Sequence, residues 1–594
     1  MKRNSTLLKT GFAMLASLAF SFGAYATTFT AITSGNFSSA VTWGGTAPSA
    51  NLTTADNIVI NTGVTVTLDE DVTINNALAS IAVNGTLSGT HSLTVTNGSF
   101  TGGLTGVITI HNLTLGATST SSYTGTATVD NMYNSEVLLS LTGNTHVNDT
   151  VGLYSGVAQL SSGITLVLGS NATIMFAGGG FNAAGGGTLS LAGGVNLVYT
   201  GTGSQSAGAE LGLTGINNVT VNLNSSSAQL SLNGDLTVAG QLSLRSGSLN
   251  LNGHSLTLSG SIDTTGAGSI TASATGSSTS DITLSGSAGY MGLLSFTSGA
   301  STINNLTVNT ASGTYASLAS NLTVAGRLTL TSGRINLTGS NNLTLTGSDS
   351  IYGGSPSSYV STSGTGSLVA NIGITAQNNA RTLYVGTMNS FAPVRITNSS
   401  TTAGNFSANA QSGIYANGTS GADISATRSS VNTSWNIESD ITSGANVAIQ
   451  AMWSTAAQVN SFNSADVYLS HYTNGAWDAD ALVSATAQAN GMFSVSRSGI
   501  TSFSPFAVFS GYPSGINELS AAPAISSYPN PAYSTITVTV DPKNTDNIKV
   551  IDILGNQVAA YPVRTATTQI DISGLTSGVC FLSTGNSTQK FVKK

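Results

Sequence analysis

The residues that could do acid–base or metal chemistry are few and scattered in this chain. The histidines never form an H-x-x-x-H or H-E-x-x-H spacing, so they predict no metal site, and we interpret each as an exposed strand or loop residue. They are His91, His111, His146, His254 and His471. The single cysteine, Cys580, excludes a disulfide framework and a cysteine-based metal cluster. We therefore expect no metal and no other cofactor.

Two acidic clusters have residue types that polysaccharide-cutting enzymes use, because those enzymes need paired carboxylates or calcium-bound acids. One is the Asp-Glu-Asp run at 69–71, and the other is Asp478 with Asp480, beside Trp477. Neither lies in the middle of the chain, where a long cleft would run. The middle also lacks the cluster of Arg, Lys and Asp expected of a pectin-cutting site. We interpret both clusters as solvated turns and predict no catalytic residue.

Composition excludes further classes of chemistry. The glycine-rich run at 177–187 lacks the Lys-Ser/Thr pair of a phosphate-binding loop, and no lysine occurs between Lys9 and Lys543. Only 7% of the 594 residues are charged, and the net charge is −7. So few basic residues argue against nucleic-acid binding, which depends on Lys and Arg. A hydrophobic share of 40% argues against disorder.

The first 26 residues have the composition of a cleaved export signal. A basic start precedes an apolar stretch at 11–23, and Ala24 and Ala26 form a small-x-small cleavage site, so the mature chain is expected to begin at Thr27. The apolar stretch is shorter than the roughly 20 residues of a transmembrane anchor. No later segment has 18 consecutive apolar residues. We predict no transmembrane segment in the mature chain.

The middle of the chain repeats itself at an offset of 86 or 87 residues. D-L-T-V-A-G-Q-L-S-L at 235–244 returns as N-L-T-V-A-G-R-L-T-L at 321–330. Apolar-x-apolar triplets recur every six to eight residues in each copy, and glycine, asparagine and serine between them supply corners. Three short strands per 20 or 21 residues predict one coil of a right-handed parallel β-helix. Residues 55–370 would form roughly 15 such coils.

The pattern changes after about residue 375, and three of the four tryptophans lie beyond it: Trp435, Trp453 and Trp477. Longer alternating strands are typical of an antiparallel sandwich. We therefore predict an all-β protein, with a capped β-helix over 27–375, a β-sandwich over 380–512 and a linker over 513–524. The tryptophans are expected in the core, and a sugar-stacking platform is the alternative.

The start of the mature chain has its own pattern, with Trp43-Gly44-Gly45, Pro48 and strands at 56–60 and 64–69. This resembles the G8-like start of secreted Bacteroidetes β-helix proteins over about 30 residues. A solenoid needs its open end covered, so we expect Trp43 to cap the first coil.

The last 70 residues carry the most specific motifs, namely Y-P-N-P at 528–531, D-I-L-G at 552–555, G-L-T-S-G at 574–578 and K-F-V-K-K at 590–594. Together they resemble the type A C-terminal sorting domain of the type IX secretion system, which we assign to 525–594 as a small seven-stranded β-sandwich. Cys580 stands where that family commonly has tyrosine, and we interpret it as a small buried strand residue. The residues assigned to the sorting signal are Tyr528, Pro529, Asn530, Pro531, Asp552, Gly555, Gly574, Leu575, Gly578, Lys590, Phe591, Lys593 and Lys594.

The resemblance implies that the type IX secretion machinery carries the chain from the periplasm across the outer membrane. It also implies removal of the sorting domain and attachment of the rest to surface lipopolysaccharide. The expected location is therefore secreted or on the cell surface.

Three functions fit these patterns. The preferred one is a non-catalytic β-helix surface protein, adhesin-like or structural, with glycans as possible partners and no nucleic acid. A polysaccharide lyase or glycoside hydrolase is the alternative. An ice-binding solenoid is the third, based on the pairs Thr65-x-Thr67 and Thr94-x-Thr96, but such pairs do not recur once per coil.

Overall fold

A computed structural model describes residues 26–511 and 525–594, except 103–105, 137, 183–185, 264, 273–278, 288, 348–350, 489–490, 541–545 and 585–586. The predicted export signal up to residue 25, including Ala24, and the predicted linker at 513–524 lie outside the described residues. The chain divides into two compact units, Met1–Tyr512 and Pro513–Lys594.

The first unit contains a parallel β-solenoid of about 14 turns, which confirms the all-β class and the predicted β-helix. Leu236 lies beside Leu256 on the next coil, and Leu256 beside Ile282. All three side chains are buried, whereas the threonines that follow them face outward. An apolar-x-apolar triplet predicts this alternation, with the apolar side chains buried and the middle side chain facing outward.

The parallel strands of the solenoid are short, and most contain three to five residues. They are Thr28–Ala31, Gly35–Asn36, Asn51–Leu52, Asn57–Ile60, Thr65–Leu68, Val72–Val83, Thr86–Gly89, Leu93–Gly102, Val107–Tyr123, Thr126–Asn134, Leu138–Leu141, Thr145–Leu153, Val157–Leu160, Thr165–Leu168, Thr173–Phe176, Gly180–Asn182, Thr188–Leu191, Val195–Gly201, Gln205–Ser206, Ile216–Leu223, Gln229–Ser231, Leu236–Val238, Gln241–Ser246, Ser248–Asn250, Leu256–Leu258, Ser261–Asp263, Ser269–Thr271, Ile282–Leu284, Tyr290–Leu294, Thr302–Ile303, Leu306–Asn309, Tyr315–Leu318, Leu322–Val324, Leu328–Leu337, Leu343–Leu345, Ile351–Gly353, Ser358–Thr362, Leu368–Ile372 and Val385–Gly386.

The two copies of the long sequence repeat lie on different sheets. Leu236–Val238 belongs to a sheet that continues through Leu256–Leu258 to Leu328–Leu337. Its sequence counterpart, Leu322–Val324, instead pairs with Leu343–Leu345 in another sheet. The offset of 86 residues is therefore not a whole number of coils. The triplet, rather than the coil, is the unit that the sequence repeats.

The solenoid passes directly into an antiparallel layer. Leu368–Ile372 pairs in parallel with Leu343–Leu345 on one side and antiparallel with Gly404–Ser412 on the other. One apolar core extends through both parts and includes Trp435 and Trp453, each with an exposed fraction of 0%. The core role expected of these two tryptophans is confirmed.

The antiparallel layer has two sheets, one of which is continuous with the solenoid. The remaining strands of the layer are Ala380–Leu383, Val394–Asn398, Gly404–Ser412, Ser430–Ser439, Val447–Ser454, Gln458–Val459, Val467–Thr473, Ala476–Trp477, Thr486–Ala487, Met492–Ile500 and Pro505–Ser510. Short 3-10 helices occur at Ala209–Gly212, Ile424–Ala426 and Thr455–Ala457.

The described residues of the second unit form a three-stranded and a four-stranded antiparallel sheet around their own apolar core. The strands are Ser526–Tyr528, Thr535–Thr539, Asn547–Ile551, Gln557–Pro562, Thr567–Asp571, Gly578–Ser583 and Thr588–Lys593. Cys580 is buried in this core, as expected, and burial raises the pKa of its thiol. Within the described residues, none of the helices has the length and apolar character needed to span a membrane.

Candidate functional site

A groove of about 1030 Å³ lies where the last coils of the solenoid meet the antiparallel layer. Its walls include the bend at 362–365, the loop at 387–390, the strand segments 409–412 and 432–438, and residues 454–457, with Thr419 beside them. The groove therefore depends on the junction of the two parts of the first unit. No motif in the sequence marks it, because its walls come from several separated segments.

Most of the residues that line the groove have hydroxyl or amide side chains. The Asn409 side chain donates hydrogen bonds to the carbonyls of Gly364 and Gly366, at 2.9 and 2.6 Å, and so fixes the bend at 362–365. Glu438 is the one carboxylate among the described lining residues. The hydroxyl and amide side chains of the lining can donate and accept hydrogen bonds with a polar ligand.

The acidic run at 69–71 follows the strand Thr65–Leu68 and bonds to neighbouring coils. Asp69 accepts a hydrogen bond from the Ser38 backbone N–H at 3.1 Å and another from its hydroxyl. Asp71 accepts one from the backbone N–H of Ser92 at 2.9 Å. That bond is the main cause of the lowered pKa of Asp71. These carboxylates are thus structural acceptors in a turn.

Asp478 and Asp480 both contact Arg497, a partner that the sequence analysis did not identify. The guanidinium donates two hydrogen bonds of 2.8 Å to the two oxygens of Asp478, and its Nε lies 3.4 Å from Asp480. The backbone N–H of His471 also bonds to Asp478, at 2.7 Å. Burial raises the pKa of Asp478, but the bonds from Arg497 and His471 outweigh it, so the pKa is lowered. An ion-paired carboxylate of this kind is a poor general acid.

A further acid, Glu210, lies in the solenoid with only 1% of its surface exposed. It accepts hydrogen bonds from the Tyr199 hydroxyl at 2.8 Å and from the Gly208 backbone N–H at 2.6 Å. A cavity of about 380 Å³ adjoins the pair. Glu210 was not predicted from the sequence, because its position within a Gly-Ala-Glu-Leu-Gly segment gives no signal of burial.

Three histidines lie beside an aspartate of a neighbouring coil, with the Nδ1 atom facing a carboxylate oxygen. The pairs are His91–Asp71 at 3.3 Å, His111–Asp130 at 2.8 Å and His254–Asp235 at 3.9 Å. In the parts of the chain that the structure describes, no group of three or more His, Cys, Asp or Glu side chains is placed to hold a metal.

His471 differs from the prediction of an exposed residue, because only 5% of its surface is exposed. Its ring stacks on Phe506 with a centroid distance of 4.3 Å, and burial lowers its pKa. Its strand, Val467–Thr473, carries large apolar or aromatic residues on both faces, and this pattern was the available signal of burial.

The two threonine pairs behind the ice-binding hypothesis lie in different stacks of paired strands. Thr65 and Thr67 lie beside Thr86 and Ser88, whereas Thr94 lies between Thr73 and Thr114. Hydroxyls of neighbouring coils also approach each other, at 3.3 Å for Thr67 and Ser88. The strict Thr-x-Thr pair therefore does not repeat on successive coils of one stack.

In the second unit, the Y-P-N-P segment at 528–531 contacts the last strand. The Asn530 side chain accepts a hydrogen bond from the Val592 backbone N–H at 2.8 Å and donates one to the Lys590 carbonyl at 3.2 Å. Phe591, between these positions, is fully buried opposite Cys580. The two ends of the predicted sorting signal are thus brought together.

The D-I-L-G segment forms a tight turn. The Asp552 carboxylate accepts hydrogen bonds from the backbone N–H groups of Asn556 and Leu554, at 2.8 and 2.9 Å, and these lower its pKa. Gly555 has a φ of +86°, a conformation that favours glycine. Ile553 and Leu554 are exposed at the tip. In the G-L-T-S-G segment, which begins at Gly574 and ends at Gly578, Leu575 packs on the core.

The second unit matches a known family. Residues 526–594 match the family described as "Secretion system C-terminal sorting domain". No significant match was found among curated proteins or among solved structures. The match confirms that the motifs at 528–531, 552–555, 574–578 and 590–594 belong to a C-terminal sorting domain. The C-terminal unit is therefore a type IX secretion sorting domain, which implies that the chain is exported.

Proposed function

We propose that the chain is an exported, non-catalytic surface protein with an adhesin-like role, and that its first unit binds glycans. The observation that carries the proposal is the groove beside the end of the solenoid, lined by hydroxyl and amide groups, on a chain that ends in a sorting domain. Neutral donors and acceptors of this kind suit recognition of a polyhydroxylated ligand.

The contacts of the acidic residues support a role without catalysis. Asp69 and Asp71 bond to neighbouring coils, and Asp478 is held by Arg497. Within the described lining of the groove, Glu438 has no second carboxylate as a partner. A polysaccharide lyase or glycoside hydrolase remains the competing function, and Glu438 is the residue that would then be tested first.

The proposal includes a route and a destination. After removal of the export signal, with cleavage before Thr27, the chain would cross the periplasm and then the outer membrane. The sorting domain would be removed, and the first unit would remain attached to surface lipopolysaccharide. The resemblance of the C-terminal motifs to type A sorting domains supports this sequence of events.

A depletion assay tests the proposal on the chain from Thr27 to Lys594. The protein is mixed with insoluble polysaccharides, and both the bound protein and the released reducing ends are measured. We expect binding without release. Release of reducing ends that disappears in the Glu438→Gln variant would overturn the proposal in favour of an enzyme. Absence of both binding and release would instead favour a purely structural surface protein.

A further inference from the structure

Four large side chains form a column along one sheet of the solenoid. Tyr290 lies beside Tyr315 on the next coil, Tyr315 beside Arg334, and Arg334 beside Tyr359. Their separations along the chain are unequal, so nothing in the sequence connects them. The register of successive coils alone brings them into line.

The outer end of this column is an accessible aromatic surface. Tyr290 has an exposed fraction of 44%, and Tyr315 is half-buried. Their ring centroids are 4.9 Å apart, with 32° between the ring planes. Rings this close overlap, so Tyr315 packs against one face of the exposed Tyr290 ring and supports it as an aromatic contact for a ligand.

At the inner end of the column, Arg334 and Tyr359 form hydrogen bonds with the loop that lines the groove. The Arg334 guanidinium lies 5.6 Å from the Tyr359 ring centroid and donates hydrogen bonds to the Tyr359 hydroxyl, at 3.2 Å, and to the Met388 carbonyl. The Tyr359 hydroxyl in turn donates to the Thr387 carbonyl at 2.9 Å. Thr387 and Met388 belong to the loop at 387–390, which forms one wall of the groove. The column and the groove therefore share a loop.

The chemistry of this surface selects an uncharged chain of sugar rings. The C–H faces of a pyranose ring stack on aromatic rings, and its hydroxyls pair with the amides and hydroxyls of the groove. No Lys or Arg is among the described groove residues, and Arg334 already donates to Tyr359 and Met388. Glu438 and the net charge of −7 would repel an anionic glycan.

We infer that Tyr290 and Tyr315, together with the adjoining groove, form a binding site for a neutral polysaccharide chain. The inference rests on the proposed glycan-binding function and specifies its site and ligand class. Tyr290, supported by Tyr315, stacks on a sugar ring, and the groove takes up the chain beyond Arg334. Asn389, exposed on the shared loop, provides an amide to the bound sugar.

Affinity electrophoresis in gels that contain a neutral polysaccharide tests the inference on the chain from Thr27 to Lys594. The probes are a soluble β-1,3-glucan, a mannan and a xyloglucan, with polygalacturonate as the anionic comparison. The variants are Tyr290→Ala, Tyr290→Phe and Asn389→Ala. Tyr352→Ala is the matched control, because Tyr352 is an exposed solenoid tyrosine (67%) that lies beside Arg327 and outside this column. Thermal unfolding of each variant checks that it is folded.

We expect Tyr290→Ala to weaken binding of at least one neutral polysaccharide about tenfold, whereas Tyr290→Phe and Tyr352→Ala bind like the parent. Asn389→Ala is expected to weaken the same interaction. Binding by the parent that is unchanged in Tyr290→Ala and Asn389→Ala would overturn the site but leave the proposed function standing. Preference for polygalacturonate, or no retardation by any neutral probe, would overturn the ligand class. Cleavage of the probe would overturn the proposed function itself.

Discussion

Asp478 and Arg497 show how single polar side chains stabilise the antiparallel layer. Two parallel hydrogen bonds of 2.8 Å join them, and the side chains are only 25% and 21% exposed. A bidentate pair of this kind is stronger than an ordinary surface ion pair. Because His471 also donates its backbone N–H to Asp478, the carboxylate connects two strands. Loss of the carboxylate would remove the acceptor of three hydrogen bonds, two from Arg497 and one from the His471 backbone.

Replacement of Asp478 by alanine is therefore expected to lower the free energy of unfolding by about 1–2 kcal/mol at pH 7, after allowance for partial exposure. The folded-state pKa of Asp478 is lowered, so its contribution is present above the unfolded pKa of about 4 and is lost as the pH falls through the folded value. Urea unfolding at pH 7 and in steps below pH 4 measures the difference.

Asp480→Ala is the control, since Asp480 is 40% exposed and lies 3.4 Å from Arg497. Its effect should stay below about 1 kcal/mol. A destabilisation by Asp478→Ala that persists undiminished well below pH 4 would show that the charge of Asp478 is not its cause.

At the scale of elements, the corners between strands decide how closely coils can stack. Gly260 lies directly over Gly240, whose carbonyl accepts a hydrogen bond of 2.9 Å from the Ser261 backbone N–H. A Cβ atom added at Gly260 would lie only 1.7 Å from that carbonyl oxygen. Neighbouring backbone cannot move aside as a flexible side chain could. This corner therefore needs a residue without a side chain.

Gly260→Ala is expected to destabilise the solenoid by about 1–3 kcal/mol, because the coils must separate to accept the added methyl group. Gly212→Ala is the control, since nothing lies within 4 Å of a Cβ added there, and it should change stability by no more than about 0.5 kcal/mol. Denaturant unfolding of the two variants measures the difference. Equal effects would refute close stacking at this corner.

At the scale of the whole molecule, the two units have separate apolar cores in the part of the chain that the structure describes. The core clusters of the first unit extend from Ala31 to Phe509, and that of the sorting unit lies among residues 525–591. Among the described residues, the strands of each unit pair with strands of the same unit. Separate cores of this kind are expected to unfold separately, and the smaller unit buries less surface and should melt first.

Calorimetry of the chain from Thr27 to Lys594 should therefore show two transitions. Phe591→Ala removes a fully buried ring from the sorting unit and should shift only the smaller transition, by about 3–5 kcal/mol of unfolding free energy. Leu256→Ala, at a fully buried solenoid position, should shift only the larger one. A single transition that responds to both substitutions would contradict independent unfolding.

The sequence alone determined the features that depend on neighbours along the chain. Triplets such as Leu236–Val238 predict short strands with one buried face, because alternation within a strand is a local property. The Y-P-N-P, D-I-L-G and K-F-V-K-K segments identified the sorting unit, since each motif is contiguous. The burial of Trp435 and Trp453 followed from the alternating strands that contain them.

Contacts between distant residues depend on how the coils stack in three dimensions. Leu236 and Leu256 are 20 residues apart on adjacent coils, whereas Leu256 and Ile282 are 26 apart, so register cannot be counted from the sequence. For this reason Arg497 beside Asp478 and the column from Tyr290 to Tyr359 were not predicted. The physical cause is that corner loops vary in length without disturbing the core, and each change in length alters the spacing along the chain between residues that lie beside each other on successive coils.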